Sequence, residues 1–202
     1  MTHGWERNKL QTRLSLVRAA IRLFRESGYE ATTVDDIASA AGCSRRTFFR
    51  YFGTKEDVLL LETREMLADF RAFVAEPVPG LTRWDQIRTG TLAAIRRLAE
   101  PSSGIEELTI ASWLNEPAIA KHFSAILAEL ERIIASALAE ERGVDPDLDL
   151  ATQFMARATT AACAAAIHVH VKTHGDLQAQ FEQVFTMLEG RLATVDDVLD
   201  PR

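Results

Sequence analysis

Three arginines in one short segment, Arg45, Arg46 and Arg50, have the side chains best suited to a binding chemistry. A guanidinium can donate two parallel hydrogen bonds to a phosphate, or to O6 and N7 of a guanine. Phe48 and Phe52 are four residues apart, so on a helix they share one face and leave the arginines outside. The pattern indicates a short helix with an apolar inner face and a cationic outer face.

Residues suited to cap helix ends lie before this segment, and they predict another short helix just ahead of it. Thr33 and Asp36 have the spacing of a capping box, and apolar residues then recur at helical spacing until Gly42. Ser44 is suited to cap the arginine-bearing helix. Two short helices joined by a glycine turn make a helix-turn-helix, whose second helix enters the DNA major groove.

The charge distribution favours a nucleic-acid partner at one end of the chain. The 202 residues carry a formal net charge of −6. Residues 1–55 nevertheless hold ten Lys or Arg against five Asp or Glu, and the remaining residues hold thirteen against twenty-four. A basic N-terminal segment on an acidic body is typical of a DNA-binding domain joined to a domain with another role.

The composition argues against membrane, secreted and disulfide-rich proteins. Apolar residues make up 47% of the chain, which is enough for a packed core. No apolar run approaches the roughly 20 residues of a membrane helix, and the N-terminal segment lacks the apolar stretch of a secretory signal. The two cysteines, Cys43 and Cys163, do not form a disulfide framework. We expect a cytoplasmic protein without a membrane partner, and a small buried hydrophobe at Cys43 rather than a redox switch.

Helical spacing of apolar residues extends over the rest of the chain. A first stripe, capped by Gly28, is made of Leu10, Leu14, Val17, Ile21 and Phe24. Thr54 and Asp57 form a capping pair that opens a long helix to about Ala75. Later helices are predicted near residues 84–98, 105–114, 119–138, 147–172 and 176–192. We therefore predict an all-α chain of about nine helices, divided into domains 1–54 and 55–202.

The segment 158–171 is small and uncharged on every side, which predicts a helix that is buried all round. Such a helix suits the centre of a bundle formed within the chain or between two chains. DNA binding favours two chains, because a two-fold dimer presents two reading helices about one DNA turn apart. The candidate dimerisation residues are Ala158, Ala162, Ala165, Phe181, Phe185 and Leu188.

The segment AAIRLFRESGYEATT and the overlapping TTVDDIASAAGCSRRTFFRYFGTKEDVL resemble the TetR family of bacterial transcriptional regulators. The variant SRRTFFRYF looks like the subgroup similar to regulators of the mycofactocin system. The resemblance implies a homodimer in which helices one to three bind a double-stranded, palindromic DNA operator. It also implies that the C-terminal domain binds a small-molecule inducer and pairs the two chains through its last two helices. Inducer binding would release the DNA, so the implied role is a ligand-responsive repressor.

The resemblance extends to single positions of the motif. Phosphate-contact positions of the family are matched by Thr33, Thr47, Tyr51 and Lys55. Phe49 stands where a tyrosine is usual, and it either touches a thymine methyl or packs on its own domain. Arg50 replaces a frequent histidine and strengthens the attraction to phosphate. The full set of candidate DNA-binding residues is Thr33, Ser44, Arg45, Arg46, Thr47, Phe49, Arg50, Tyr51 and Lys55, with base or phosphate contact left open for Arg45 and Arg46.

Large apolar side chains of the second domain are candidates for the inducer pocket, although each also suits a plain core position. They are Phe70, Phe73, Trp84, Trp113, Phe123, Phe154 and Met155. Few charged residues interrupt these helical faces, so we expect a hydrophobic inducer.

Two alternative functions remain open from the sequence. His170 and His174 are four residues apart and, with His168 nearby, could make a metal-responsive regulator. Histidines at the end of a helix more often interact with the helix terminus and solvent, so we expect no metal and no cofactor. A helical small-molecule carrier or an enzyme is the other alternative. The chain has neither a G-x-S-x-G motif nor a phosphate-binding loop, so we expect no enzyme activity.

Overall fold

The computed structural model describes residues 3–98 and 117–192, and within these ranges every regular element is an α-helix. The prediction of an all-α fold is confirmed. None of the described helices combines the length and apolar character that crossing a bilayer requires. Eight helices lie in these ranges: α1 (His3–Ser27), α2 (Val34–Ala40), α3 (Arg45–Tyr51), α4 (Glu56–Ala75), α5 (Arg83–Leu98), α6 (Pro117–Arg142), α7 (Leu150–Thr173) and α8 (Leu177–Leu192). The helix predicted near residues 105–114, which includes Trp113, lies outside the described residues.

The described residues form two compact units. Unit 1 comprises residues 3–62 and 117–122, and unit 2 comprises residues 63–98 and 123–192. In unit 1, α1 packs against α2, and α2 packs against α3. Gly28 ends α1 as predicted, with a φ of 85° that suits glycine. The buried side of α1 is formed by Leu16, Val17, Ala20, Ile21 and Phe24, whereas Leu14 of the predicted stripe is exposed.

The N-terminus of α4 is capped where the sequence predicts it. The Asp57 carboxylate accepts hydrogen bonds from the backbone N–H groups of Gly53 and Thr54, each at 3.0 Å. These N–H groups have no helical acceptor, so the carboxylate stabilises the start of the helix. Helix α4 is continuous, although its residues up to 62 belong to unit 1 and its later residues belong to unit 2.

The core of unit 2 joins side chains of α4, α5, α6 and α7. Its buried members are Phe70, Val74, Ile87, Ile133, Ile134, Ala135, Ala137, Leu138 and Ala156. Helix α8 packs against α7 and also against α5.

Two buried polar residues of α5 cap the other end of α4. Arg83 is 4% exposed, and its guanidinium donates to the Val74 carbonyl at 3.0 Å. Gln86 is fully buried and donates to the carbonyls of Phe73 and Glu76. The last carbonyls of a helix have no helical donor, so these side chains supply the missing partners. Neither residue carries a signal in the sequence, because each bonds carbonyls of the preceding helix across a loop and not within its own helix.

Helix α7 is not buried all round within one chain, so the expected burial of its remaining side by a second chain stays a prediction. It begins at Leu150, later than predicted, because the Asp149 carboxylate accepts the Thr152 N–H at 2.8 Å and caps the helix there. The side of α7 that carries Cys163 is buried, whereas Ala161 and Ala165 are exposed. The pattern of small residues on every side does not reveal which side faces the chain's own core.

Phe181 and Phe185 are corrected from dimerisation residues to core residues. They are 1% and 0% exposed in the single chain, and the ring of Trp84 lies 5.8 Å from that of Phe185. Side chains that are already buried in their own chain cannot offer surface to a partner. Of the other predicted dimerisation residues, Ala165 is exposed, and Ala158, Ala162 and Leu188 are half-buried.

Replacing Arg83 by methionine keeps an unbranched apolar stem and removes the guanidinium donors. The Val74 carbonyl loses its side-chain partner, so we expect the free energy of unfolding to fall by about 2–3 kcal/mol. Arg97→Met is the matched control, because the Arg97–Asp69 pair is more than half exposed, and such pairs contribute about 0–1 kcal/mol. Urea unfolding followed by circular dichroism measures both losses. Equally small losses for the two variants would contradict the capping role.

Candidate nucleic-acid interface and ligand cleft

Helices α2 and α3 form the predicted helix-turn-helix. Each has seven residues, and Gly42 in the turn between them has a φ of 69°. The turn is closed by the Cys43 N–H, which donates to the Ala38 carbonyl at 2.9 Å. On the inner side of α3, Phe48 and Phe52 are 0% and 3% exposed, with ring centroids 5.5 Å apart. The aromatic pair therefore faces the core, and the opposite side of α3 faces outward.

Side-chain caps fix the N-terminus of each short helix. The Thr33 hydroxyl accepts the Asp36 N–H at 3.2 Å, and the Asp36 carboxylate accepts the Thr33 N–H at 2.9 Å. Hydrogen bonds from the Thr33 side chain and backbone hold the pKa of Asp36 below its ordinary value. The Ser44 hydroxyl accepts the Thr47 N–H at 3.1 Å at the start of α3. Both caps predicted from the sequence are present.

The three arginines of α3 are all exposed, but their surroundings differ. The Arg45 guanidinium donates to the Asp35 carboxylate at 2.7 Å and lies 5.2 Å from the centre of the Phe49 ring. Arg50 lies 5.1 Å from the centre of the Tyr51 ring. Among the described residues, no hydrogen bond or ion pair engages Arg46. Arg46 can thus reach a ligand without giving up a protein contact.

The sequence left two roles open for Phe49, contact with a thymine methyl and packing on its own domain, and its environment suits both. It is 46% exposed, while its ring packs edge-on against Phe48 with centroids 5.5 Å apart. One part of the ring contacts the protein, and the remainder is available to an apolar group such as a thymine methyl.

Lys55 has a different environment from the one expected of a phosphate contact. Its ammonium donates to the carbonyls of Tyr29 and Thr32, at 2.8 and 3.1 Å, and lies 4.1 Å from the centre of the Tyr29 ring. The Tyr29 hydroxyl in turn donates to the Glu56 carboxylate. Sequence spacing gave no sign of this contact, because it joins residues 26 positions apart.

Cys163 is buried, and Cys43 is half-buried. Burial raises the pKa of the Cys163 thiol to about 12 and also raises the pKa of the half-buried Cys43 thiol. A raised pKa disfavours the reactive thiolate.

Unit 2 contains an apolar cleft of about 300 Å³ between α4 and α5. Phe70 and Phe73, which were predicted as pocket residues, lie in its wall. Gly90 permits the close approach of the two helices, because a Cβ atom there would lie 2.8 Å from the Phe73 ring. At the rim, Arg97 donates to the Asp69 carboxylate at 2.5 Å. The other lining residues are Met66, Thr89, Ala93 and Ala94.

A second cleft of unit 2 has charged residues in its lining beside apolar ones. It measures about 390 Å³, lies between α4 and α6, and contains Arg71, Glu129, Arg132 and Glu140. Glu129 pairs with both Arg71 and Arg132. The charged lining is less suited to a hydrophobic ligand than the lining of the α4–α5 cleft.

Of the remaining predicted pocket residues, the four that the structure describes, Trp84, Phe123, Phe154 and Met155, do not line either cleft. Phe154 is 54% exposed on the outer side of α7, which is a correction to its predicted place in a pocket. Phe123 is buried, Met155 packs at the edge of the core, and Trp84 packs on Phe185.

The histidines near the end of α7 lie in a helix-capping arrangement. Nδ1 of His170 is 2.7 Å from the Gly175 carbonyl, and His174 is the C-cap of α7 with a φ of 51°. Within the described residues, no group of three or more His, Cys, Asp or Glu side chains is placed to hold a metal ion.

Comparison with protein families gives two matches along the chain. A model described as "Bacterial regulatory proteins, tetR family" matches residues 16–61. A model described as "MftR C-terminal domain" matches residues 82–193, which is more than half of the chain.

Individual relatives agree with these family matches. The transcriptional regulator TcmR of Streptomyces glaucescens is 29% identical over 158 residues, covering 75% of this chain and 70% of TcmR. MftR of Mycobacterium tuberculosis, a regulator assigned to mycofactocin biosynthesis, is 35% identical over 74 residues, covering 37% of each chain.

Solved structures share the fold over most of the chain. The triclosan complex of SmeT, a repressor from Stenotrophomonas maltophilia, has a TM-score of 0.66 at 20% identity and covers 91% of this chain and 90% of SmeT. The lauroyl-CoA complex of the repressor FadR from Thermus thermophilus has a TM-score of 0.56 at 26% identity and covers 87% of this chain and 92% of FadR.

Proposed function

Because the chain belongs to the TetR family of transcriptional regulators, we propose that it is a ligand-responsive repressor of bacterial genes. In this proposal, a homodimer binds a palindromic operator, and a small hydrophobic inducer releases it. The observation that carries the proposal is the outward-facing, unengaged Arg46 on a short helix that Phe48 and Phe52 hold in place.

The dimensions of α3 suit the DNA major groove. Seven residues make a helix about 10 Å long, and the groove is about 12 Å wide. Arg46 is the side chain we assign to a guanine, through paired hydrogen bonds to O6 and N7. The hydroxyl groups of Ser44, Thr47 and Tyr51 then bond phosphates and set the register. The Thr33 hydroxyl does so only by giving up its hydrogen bond to the Asp36 carboxylate.

The outer side of α7 supports pairing with a second copy of the chain. Exposed or half-exposed residues recur there at steps of three and four, and they are Leu150, Phe154, Ala158, Ala161, Ala165 and Val169. Met187 of the adjoining α8 is 57% exposed. An apolar helix face of this length needs a partner, and its alanines let the helix of a two-fold-related copy approach closely.

The α4–α5 cleft is the inducer site in this proposal. Its phenylalanine walls suit an apolar ligand, and the charge of Arg97 at the rim is balanced by its partner Asp69. The solved relatives contain triclosan and lauroyl-CoA, both of which have apolar parts. Helix α4 lines the cleft and also begins in unit 1. A ligand that shifts α4 can thereby change the spacing of the two reading helices.

Selection of bound fragments from the source genome, followed by binding measurements at several salt concentrations, tests this function. We expect a palindromic site, and Arg46→Ala should weaken binding to it by about tenfold to a hundredfold, since a guanine contact is worth about 1–3 kcal/mol. Arg45→Ala should cost less, because Arg45 is already paired with Asp35. Arg96→Ala, an exposed arginine of unit 2, is the control with unchanged affinity. Recovery of no DNA, or an unaffected Arg46→Ala variant, would refute the proposal.

A glutamate in the exposed face of α7 tests the dimer. Ala161→Glu places a charge in the proposed interface, where burial without a partner costs several kcal/mol, so we expect a monomer at concentrations that keep the wild type dimeric. Ala68→Glu makes the same change at an exposed position of α4 and should leave the dimer intact. Sedimentation velocity separates the two forms. A dimeric Ala161→Glu variant would show that the chains pair elsewhere.

A bulky side chain in the α4–α5 cleft tests the inducer site. The probe is 8-anilinonaphthalene-1-sulfonate, which joins apolar rings to an anion and becomes fluorescent in apolar sites. Ala94→Trp fills the cleft, so we expect at least tenfold weaker probe binding than in the wild type. Ala68→Trp, on the exposed side of α4, is the control that retains binding. Equal probe affinity in both variants would place the ligand outside this cleft.

A further inference from the structure

We propose that Phe49 is a specificity-determining residue, whose exposed ring surface binds the C5-methyl group of a thymine in the operator. This inference rests on the proposed function and deepens it, because it names a base feature that α3 recognises beside the guanine. It depends on three properties of Phe49, which are its exposure, the contacts that hold its ring, and its position relative to Arg46.

Phe49 leaves a large apolar surface exposed on an otherwise polar side of α3. Its exposed fraction is 46%, whereas the neighbouring Phe48 and Phe52 are 0% and 3% exposed. The three arginines of α3 are exposed around it. Leaving apolar surface in water is unfavourable, so an apolar group that covers the Phe49 ring adds to the free energy of binding.

Contacts on two sides hold the Phe49 ring in place before any ligand binds. The ring packs edge-on against Phe48, with ring planes at 84° and centroids 5.5 Å apart. The Arg45 guanidinium lies 5.2 Å from the centre of the ring, and it donates to the Asp35 carboxylate of α2 at 2.7 Å. Arg45 is thus a positioning residue for the ring. A side chain that is already fixed loses little conformational freedom on binding.

The chemistry of the ring selects one group of the DNA major groove. A phenylalanine has no hydrogen-bond donor or acceptor, so it bonds neither a phosphate oxygen nor the polar edge of a base. The C5-methyl group of thymine is the apolar group that the base pairs present in this groove. Of the groups in reach of α3, the methyl group is therefore the one that the exposed part of Phe49 suits.

The position of Phe49 on α3 places this methyl group close to the guanine assigned to Arg46. The two residues are three positions apart, so their side chains lie on the same side of the helix. Three residues advance about 4.5 Å along a helix, and successive base pairs are about 3.4 Å apart. We therefore expect the thymine one or two base pairs from that guanine.

Replacing thymine by uracil tests the methyl group without any protein variant. Uracil lacks the C5-methyl group and pairs with adenine as thymine does. Each thymine of the selected operator is replaced in turn, and the affinity of the wild-type protein is measured. We expect a position at which uracil weakens binding about fourfold in one half-site and roughly fifteenfold in both, as the loss of one or two buried methyl groups implies. A scan in which no uracil weakens binding would overturn the inference.

Phe49→Ala connects this loss to the ring. We expect the variant to bind the thymine and uracil operators equally at the position that the scan selects. Arg50→Ala removes an exposed cation from α3 and is the matched control, which should bind both operators more weakly and keep the fourfold difference. A fourfold difference that persists in Phe49→Ala would show that another residue binds the methyl group.

Nuclear magnetic resonance on the wild-type complex gives the same assignment if Phe49→Ala does not fold. We expect nuclear Overhauser effects between the methyl protons of the selected thymine and the ring protons of Phe49. Their absence would overturn the inference.

Cytosine and 5-methylcytosine at the selected position separate the methyl group from the other features of thymine. We expect the wild type to bind the methylated operator about fourfold more tightly than the unmethylated one, and Phe49→Ala to bind the two equally. Equal binding of both operators by the wild type would count against recognition of the methyl group.

The outcomes distinguish this inference from the proposed function. A wild type that binds a palindromic operator and is indifferent to every thymine methyl group would overturn the role of Phe49 alone. A wild type that binds no DNA at low salt would refute the proposed function, and the role of Phe49 with it.

Discussion

A helix of seven residues is not stable in water by itself, and this constraint governs unit 1. Helix α3 keeps its shape because Phe48 and Phe52 bury their rings, and because Ser44 caps its first turn. Because those contacts hold one side of the helix, the opposite side can consist of exposed arginines that the core does not need. The aromatic pair thus determines where the guanidinium groups lie, and the surface chemistry follows from the core.

Polar side chains stabilise both ends of α4, as Ser44 stabilises the start of α3. Asp57 supplies acceptors at the first turn, while Arg83 and Gln86 supply donors at the last one. Side chains therefore supply hydrogen-bond partners at both ends of the helix. Such a helix resists fraying, so it is suited to move as a unit when a ligand binds along its length.

Local patterns were sufficient to predict most of the fold. Gly28, the Thr33–Asp36 box and Asp57 act within a few residues of their own helix, and the structure shows each where the sequence indicates. Contacts between distant residues could not be predicted in this way. Lys55 and Arg83 look like ordinary surface cations, and nothing local reveals the carbonyls they bond. Residues 158–171 of α7 are small on every side, so their pattern could not show which side of α7 packs within the chain. Phe154 of α7 faces outward, whereas Phe181 of the neighbouring α8 is buried.

The central claim is that the outer side of α3 contacts DNA while its inner side stays packed in unit 1. Titration of isotopically labelled protein with its selected operator, followed through backbone and arginine side-chain resonances, tests this most directly. The account predicts that the largest shift changes fall on Thr33, Ser44 and the arginine side chains of α3, with the rings of Phe48 and Phe52 nearly unmoved. Changes concentrated in unit 2, with α3 unaffected at saturating DNA, would contradict it.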